Sequence, residues 1–208
     1  MIVIGLYGGV ASGKSTVARL FGELGARVLS ADEAVHEAYT QPHVRQAVEA
    51  RFGPQIYTAE GTLERKALAA QVFADPQARR DLEEIVHPVV RERLFEEMRK
   101  ACERDTHEAV VLDVPLLATS PLEEHVEIGV FVEASLAERE RRAKSEREWS
   151  TGEVARRDAA QPPLEQRKSR CRFVVNNDTG VSEEKLREHV QSIWAAIRKE
   201  SSEPQSSS

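Results

Sequence analysis

Residues 2–7, IVIGLY, form a short unbroken apolar run, the pattern of a strand buried on both faces of a parallel sheet. The period then lengthens. Between Lys14 and Leu24 apolar side chains fall at Val17, Leu20, Phe21 and Leu24, the spacing of a helix that Gly25 is placed to stop. RVLSAD, residues 27–32, predicts a second strand. The polar stretch that follows is helical in tendency and is broken by Pro42, by FGP at 52–54 and by Gly61. Residues 75–104 carry a long amphipathic pattern, with Asp75 as N-cap and Pro76 at the first helical position. His87-Pro88 interrupts it and predicts a break or kink. AVVLDVPLL (109–117) predicts a third strand ending at Asp113, EIGVFVE (127–133) a fourth and RFVVNN (172–177) a fifth. A closing helix is expected over 182–199, and the Ser-rich stretch 200–208 reads as a disordered tail. Strands alternating with helices indicate an α/β protein with a mostly parallel sheet.

Composition narrows the class. The 208 residues are 40% apolar and 31% charged, enough for one domain with a large insertion and a well-solvated surface. No apolar run approaches the roughly 18 residues of a membrane span. The first run is too short, and too poor in positive charge ahead of it, for a signal peptide, so a cytoplasmic protein away from membranes is expected. Cys102 and Cys171 have neither a metal-type nor a CxxC spacing and read as reduced, packed thiols. The net charge of −6 argues against broad nucleic-acid binding, yet residues 139–172 hold 11 Lys and Arg against 6 Asp and Glu. Such a segment is either a solvated helical face or a clamp for polyphosphate.

Candidate chemistry begins at GGVASGKST, residues 8–16, directly after the first strand and opening the first helix. Gly8-x4-Gly13-Lys14-Ser15 has the spacing of a phosphate-binding loop. Glycines let backbone N–H groups approach phosphate oxygens, the helix N-terminus adds unpaired amides, Lys14 can reach the β- and γ-phosphates, and the Ser15 hydroxyl can hold Mg²⁺. The expected ligand is ATP on Gly8, Gly9, Val10, Ala11, Ser12, Gly13, Lys14, Ser15 and Thr16. A GTPase would need a guanine-reading motif after a later strand, and NNDTG (176–180) does not match one. A chain of this size suits a small-molecule kinase with a basic lid. Asp113 ends its strand where a carboxylate holds Mg²⁺, or is a turn residue. Asp32 can take a proton from an attacking hydroxyl, or can cap the next helix. Arg65 as a surface ion-pair partner and His87 as a packed residue at a helix break are the plain alternatives for those two. Arg139, Arg141 and Arg142 lie close together; 100° per residue puts them on different faces, so one or two at most can point at phosphate, and Arg142 is preferred.

GLYGGVASGKSTVARLFGELGARVLSAD, TLERKALAAQVFADPQARRDLEEIVHPVV, DVPLL, RRDAAQPPLEQRK and RFVVNNDTG, in that order, resemble the dephospho-coenzyme A kinases from about residue 2 to residue 190. The resemblance implies a P-loop kinase three-layer sandwich on a five-stranded parallel sheet. Its core would be 1–32, 105–135 and 172–199, with a helical acceptor-binding insertion over about 33–104 and a lid over about 136–171. It implies transfer of the γ-phosphate of ATP, with Mg²⁺, to the 3′-hydroxyl of dephospho-CoA, by a monomer or weak homo-oligomer. Lys14, Asp32 and Arg142 would be catalytic, with Asp32 as the base. Arg65, His87, Gln161 and Arg167 would face substrate, and Asn177 would lie near the nucleotide. Ser30 stands where the family has the first Asp of Asp-Ala-Asp, Thr119 where many members have Glu, and Tyr7 where Thr is common. These departures keep open another nucleotide or nucleoside kinase, or a nucleotide-binding module that has lost transfer.

Overall fold

A computed structural model describes residues 1–58, 61–104 and 107–202. Its contacts divide into two compact units, Met1–Leu29 with the chain from Met98 onward, and Ser30–Glu97.

The first unit is built on a five-stranded parallel sheet of β1 (Ile2–Gly8), β2 (Arg27–Ser30), β3 (Ala109–Asp113), β4 (Ile128–Glu133) and β5 (Phe173–Asn176), in the spatial order β2-β3-β1-β4-β5. Ile4 pairs with Val111 on one side and with Ile128 on the other, so β1 is central. Six of its seven residues are buried, as its unbroken apolar run predicts. The loop after β1 thus emerges at the carboxyl edge between two strands whose connections run to opposite sides, where ligands of such sheets bind. Against one face pack α1 (Lys14–Glu23) and the closing helix α9 (Glu183–Ser202). Phe21 of α1, fully buried, meets Trp194 of α9 edge-on at 6.1 Å and 66°. The helix continues to Ser202, three residues past the sequence expectation, and the rest of the expected tail, 203–208, lies outside the described residues. Between β4 and β5 lie three helices, α6 (Leu136–Arg147), α7 (Glu153–Asp158) and α8 (Leu164–Ser169).

The second unit contains α2 (Ala31–Ala38), α3 (Pro42–Phe52), α4 (Arg65–Ala74) and most of α5 (Pro76–Arg104). Its core includes Val44, Val48, Phe52, Ile56 and Leu68. Two expectations are corrected here. The second strand stops at Ser30, because the Ser30 hydroxyl accepts the Glu33 amide at 3.4 Å and caps α2; Asp32 therefore sits in the first turn of a helix. Of the break or kink expected at His87-Pro88, the break does not occur: α5 is one continuous helix through Pro88. An interior proline costs about 3 kcal/mol, while burying an aliphatic side chain is worth roughly 1.5–3 kcal/mol. Val86, Val90 and Leu94, buried on either side of Pro88, together outweigh that cost.

Truncating Trp194 should expose how much the sheet depends on its closing helix. Trp194→Ala is expected to lower unfolding stability by about 3–5 kcal/mol, read as a shift of the urea midpoint. A change below about 1 kcal/mol would mean that the Phe21 contact contributes little.

Candidate active site

The loop after β1 turns its carbonyl oxygens onto cations. Arg167 Nη1 donates to Gly8 O at 2.7 Å, Lys14 Nζ to Gly9 O at 3.0 Å, Arg139 Nη1 to Val10 O at 3.3 Å and Arg142 Nη1 to Ser12 O at 3.1 Å. Asn177 Nδ2 adds a second bond to Ser12 O at 2.8 Å. With the acceptors engaged, the donors remain. The amides of Lys14, Ser15 and Thr16 belong to the first turn of α1, where no intrahelical acceptor exists, and the cap residue Gly13 has no side chain to take them. A row of such amides at a helix N-terminus is an anion site.

Two backbone features hold this shape. Gly13 has φ +90°, and a Cβ built there would lie 2.2 Å from Asn177 Nδ2. Any side chain at this position would break the Asn177 bond to Ser12. Ala11 is also left-handed, at φ +60°, a strained value for a residue other than glycine and typical of functional loops.

The arginines behind the loop are themselves paired. Arg139 and Arg167 are both buried, and Asp158 at the end of α7 serves both: it forms an ion pair with Arg139 and lies 3.6 Å from Arg167 Nη2. Asp158 Oδ1 also accepts the Val10 amide at 3.0 Å. Buried Glu138 holds Arg142 at 2.8 Å, Arg141 at 2.7 Å and the Thr179 hydroxyl at 3.0 Å, and these donors hold its carboxyl down at about 2. Arg142 Nη2 donates further to Asn177 O at 2.8 Å. Arg142 and Asn177, expected at the nucleotide, thus both donate to the loop, and Arg142 donates also to Glu138 and to Asn177 O. Arg139 shares this task, which its spacing from Arg142 permits, since residues three apart lie on one helical side. Arg167 and Gln161, expected at the substrate, sit against the loop as well; Arg167 Nη1 donates to Gln161 Oε1 at 3.0 Å. Asp158 and Glu138 are counter-ions of the loop's arginines that sequence reasoning missed. The only signal for them was the need of buried arginines for counter-ions.

Lys14 is half-buried, and burial pushes its ammonium down to about 8, against the opposing pull of the Asp113 carboxylate. Asp113, nearly buried, ends β3 beside the loop strand. Ser15 is exposed and Thr16 half-buried. Among the described residues no cluster of three or more His, Cys, Asp or Glu could hold a metal by itself. One hydroxyl and one carboxylate do fit a magnesium ion whose remaining ligands are phosphate oxygens and water.

In the second unit a groove of about 440 Å³ brings Asp32 and Arg65 together with His36 and Tyr39, over an apolar wall that includes Leu68 and Val72. Arg65 Nη2 donates to His36 Nδ1 at 2.8 Å, so His36 is the tautomer protonated at Nε2. The carboxylate of Asp32 is exposed, and the capping role is taken by Ser30. His87 lies exposed on α5 and is not part of the groove lining. Thr119 donates to Leu116 O at 3.2 Å within its own turn.

A family model described as dephospho-CoA kinase matches residues 2–183. A dephospho-CoA kinase of Geobacillus kaustophilus is 40% identical over 206 residues, covering 95% of this chain and 99% of that relative. One from Geobacter metallireducens is 39% identical over 198 residues, covering 93% and 96%. A crystal structure of a Thermus thermophilus protein, 33% identical, matches with a TM-score of 0.71 over 94% of this chain and 97% of its own. A shikimate kinase structure from Bacteroides thetaiotaomicron, at 13% identity and TM-score 0.52 over 95% of this chain and 98% of its own, shares the fold alone.

The depressed Lys14 ammonium makes a prediction for any triphosphate on this loop. Phosphate charge restores the ammonium, so binding above pH 8 takes up a proton. At pH 8.5 roughly three-quarters of a proton per bound ATP is expected, falling to near zero in Lys14→Arg, whose guanidinium stays charged. Calorimetry in buffers of different ionisation enthalpy measures the difference. Equal uptake by both proteins would place the proton elsewhere.

Proposed function

The chain belongs to the dephospho-CoA kinase family, and we propose that its residues divide that family's reaction between a phosphate loop and an acceptor groove. It is an ATP-dependent phosphotransferase with an alcohol acceptor, moving the γ-phosphoryl group of ATP to the 3′-hydroxyl of dephospho-CoA and yielding coenzyme A and ADP. The observation that carries this is that the family match, residues 2–183, runs through both the loop and the groove that holds Asp32 and Arg65.

In this reading the first-turn amides of α1 receive the phosphates, and Lys14 neutralises charge on the transferring group. Phosphoryl transfer demands little else of a protein than positioning and charge stabilisation. Magnesium, fitted by Ser15 and Asp113, supplies further neutralisation of the phosphate oxygens when bound. Arg139, Arg142, Arg167 and Asn177 keep the loop carbonyls turned away from the phosphates; these four position the loop and leave the phosphates to its amides. Asp32, exposed in the groove, orients the 3′-hydroxyl and takes its proton, and Arg65, braced by His36, offers a cation to the acceptor. His87 is assigned no contact. Ser30 and Thr119, where the chain departs from the family pattern, have local structural roles, a helix cap and a turn bond. No helix among the described residues is long and apolar enough to cross a membrane, and the cytoplasm is the proposed site of action.

ADP release with ATP and magnesium, with and without dephospho-CoA and with adenosine and AMP as control acceptors, tests the assignment. Dephospho-CoA-dependent turnover with coenzyme A appearing is the expected result; preference for adenosine or AMP would make the protein a different kinase. Asp32→Asn is expected to leave ATP affinity nearly unchanged and to cut kcat by roughly 10²–10⁴. A loss of only a few-fold would leave Asp32 as a charge complementing the dipole of α2.

A further inference from the structure

Asp158 is a carboxylate that touches the phosphate loop backbone directly. Its Oδ1 accepts the Val10 amide at 3.0 Å, and the same carboxylate pairs with Arg139 and lies 3.6 Å from Arg167. Those two guanidiniums hold the carbonyl oxygens on either side of Gly9, at Gly8 and at Val10. Both are buried, with side chains 3–4% exposed, and neither can lose its charge. A buried guanidinium keeps its place only while an anion and hydrogen-bond acceptors surround it. The Asp158 side chain is 14% exposed and is delivered by the last residue of a six-residue helix. One side chain between β4 and β5 thus fixes three points on the loop: Val10 N directly, and Gly8 O and Val10 O through arginines.

We propose that Asp158 is a positioning residue for ATP. Acting through Arg139, Arg167 and the Val10 amide, it holds the first half of the loop in the shape that turns amides toward phosphate. The inference rests on the kinase reading for its consequence, but not for its test, since ATP binding is measured without any acceptor. The two variants separate its parts. Asp158→Asn retains an oxygen for the Val10 amide and withdraws the charge from the two arginines. Asp158→Ala withdraws both.

ATP·Mg²⁺ affinity is measured by calorimetry well below each variant's melting temperature, and KM for dephospho-CoA is measured at saturating ATP. In Asp158→Ala the ATP Kd is expected to rise roughly tenfold, the loss of hydrogen bonds to a charged group, with a smaller rise in Asp158→Asn. KM for dephospho-CoA is expected to stay within about twofold in both, because the groove is built from other residues. An ATP Kd within about threefold of the native value in Asp158→Ala, with only a lowered melting temperature, overturns the proposal and makes Asp158 a purely structural counter-ion. So does a parallel rise in both constants, which marks general damage. Tighter ATP binding in either variant overturns it too, because the carboxylate would then be competing with phosphate for the loop. Absence of dephospho-CoA turnover in the native protein, with the ATP affinities as expected, would count against the assigned acceptor and leave the role of Asp158 standing.

Discussion

A loop that binds phosphate through its amides must dispose of its carbonyl oxygens, because each peptide unit carries both. The structure depends on how this chain meets that constraint. Gly8, Gly9, Val10 and Ser12 give up their oxygens to Arg167, Lys14, Arg139 and Arg142, with Asn177 as a second donor to Ser12. Charged donors are strong partners for a backbone oxygen, but burying them creates a second demand, for anions. Asp158 and Glu138 meet it. The helices between β4 and β5 thereby become part of the loop, although more than a hundred residues separate them from it in sequence.

This layered dependence explains what was legible in the sequence. The strand, the glycines, the lysine and the helix start lie within sixteen residues, so local pattern reveals them. The three inner strands, β1, β3 and β4, were readable because runs buried on both faces have to be apolar. The cage was not. Arg139, Arg142 and Arg167 look the same in sequence whether they face phosphate, carbonyl or solvent, and only the chain path decides. Asp158 lies in a run, RRDAA, whose obvious reading is a solvated helix end.

Where local reading failed, a short-range interaction decided the outcome. Strand propensity in RVLSAD gave way to one hydroxyl, since Ser30 can satisfy the Glu33 amide and start α2 at Ala31, just before Asp32. An Asp at position 30 could cap the same helix, so the departure from the family pattern preserves the fold while removing one carboxylate. At Pro88 the override came from tertiary burial: the lost hydrogen bond is local, and the apolar face of α5 extends past it in both directions.

The basic surplus of residues 139–172 has a different meaning in the folded protein than in the sequence. Of its cations, Arg139, Arg142 and Arg167 hold the loop from behind, Arg141 pairs with Glu138, and Arg156 and Arg157 pair with Glu153. Lys168, Arg170 and Arg172 pair with Glu133, Glu123 and Glu200. Arg147 lies over Trp149 at 5.0 Å, and its charge is felt at Lys14. Most of the segment's cations are therefore paired within the protein, and in the proposed reading the cation left for a triphosphate on the loop is Lys14. Arg139, Arg142 and Arg167 instead hold the loop's peptide units, donating to the carbonyls of Val10, Ser12 and Gly8. A basic segment in a phosphate-binding protein can act on its ligand through the geometry of neutral amides, and the number of lysines and arginines in it then says little about how many of them the phosphates touch.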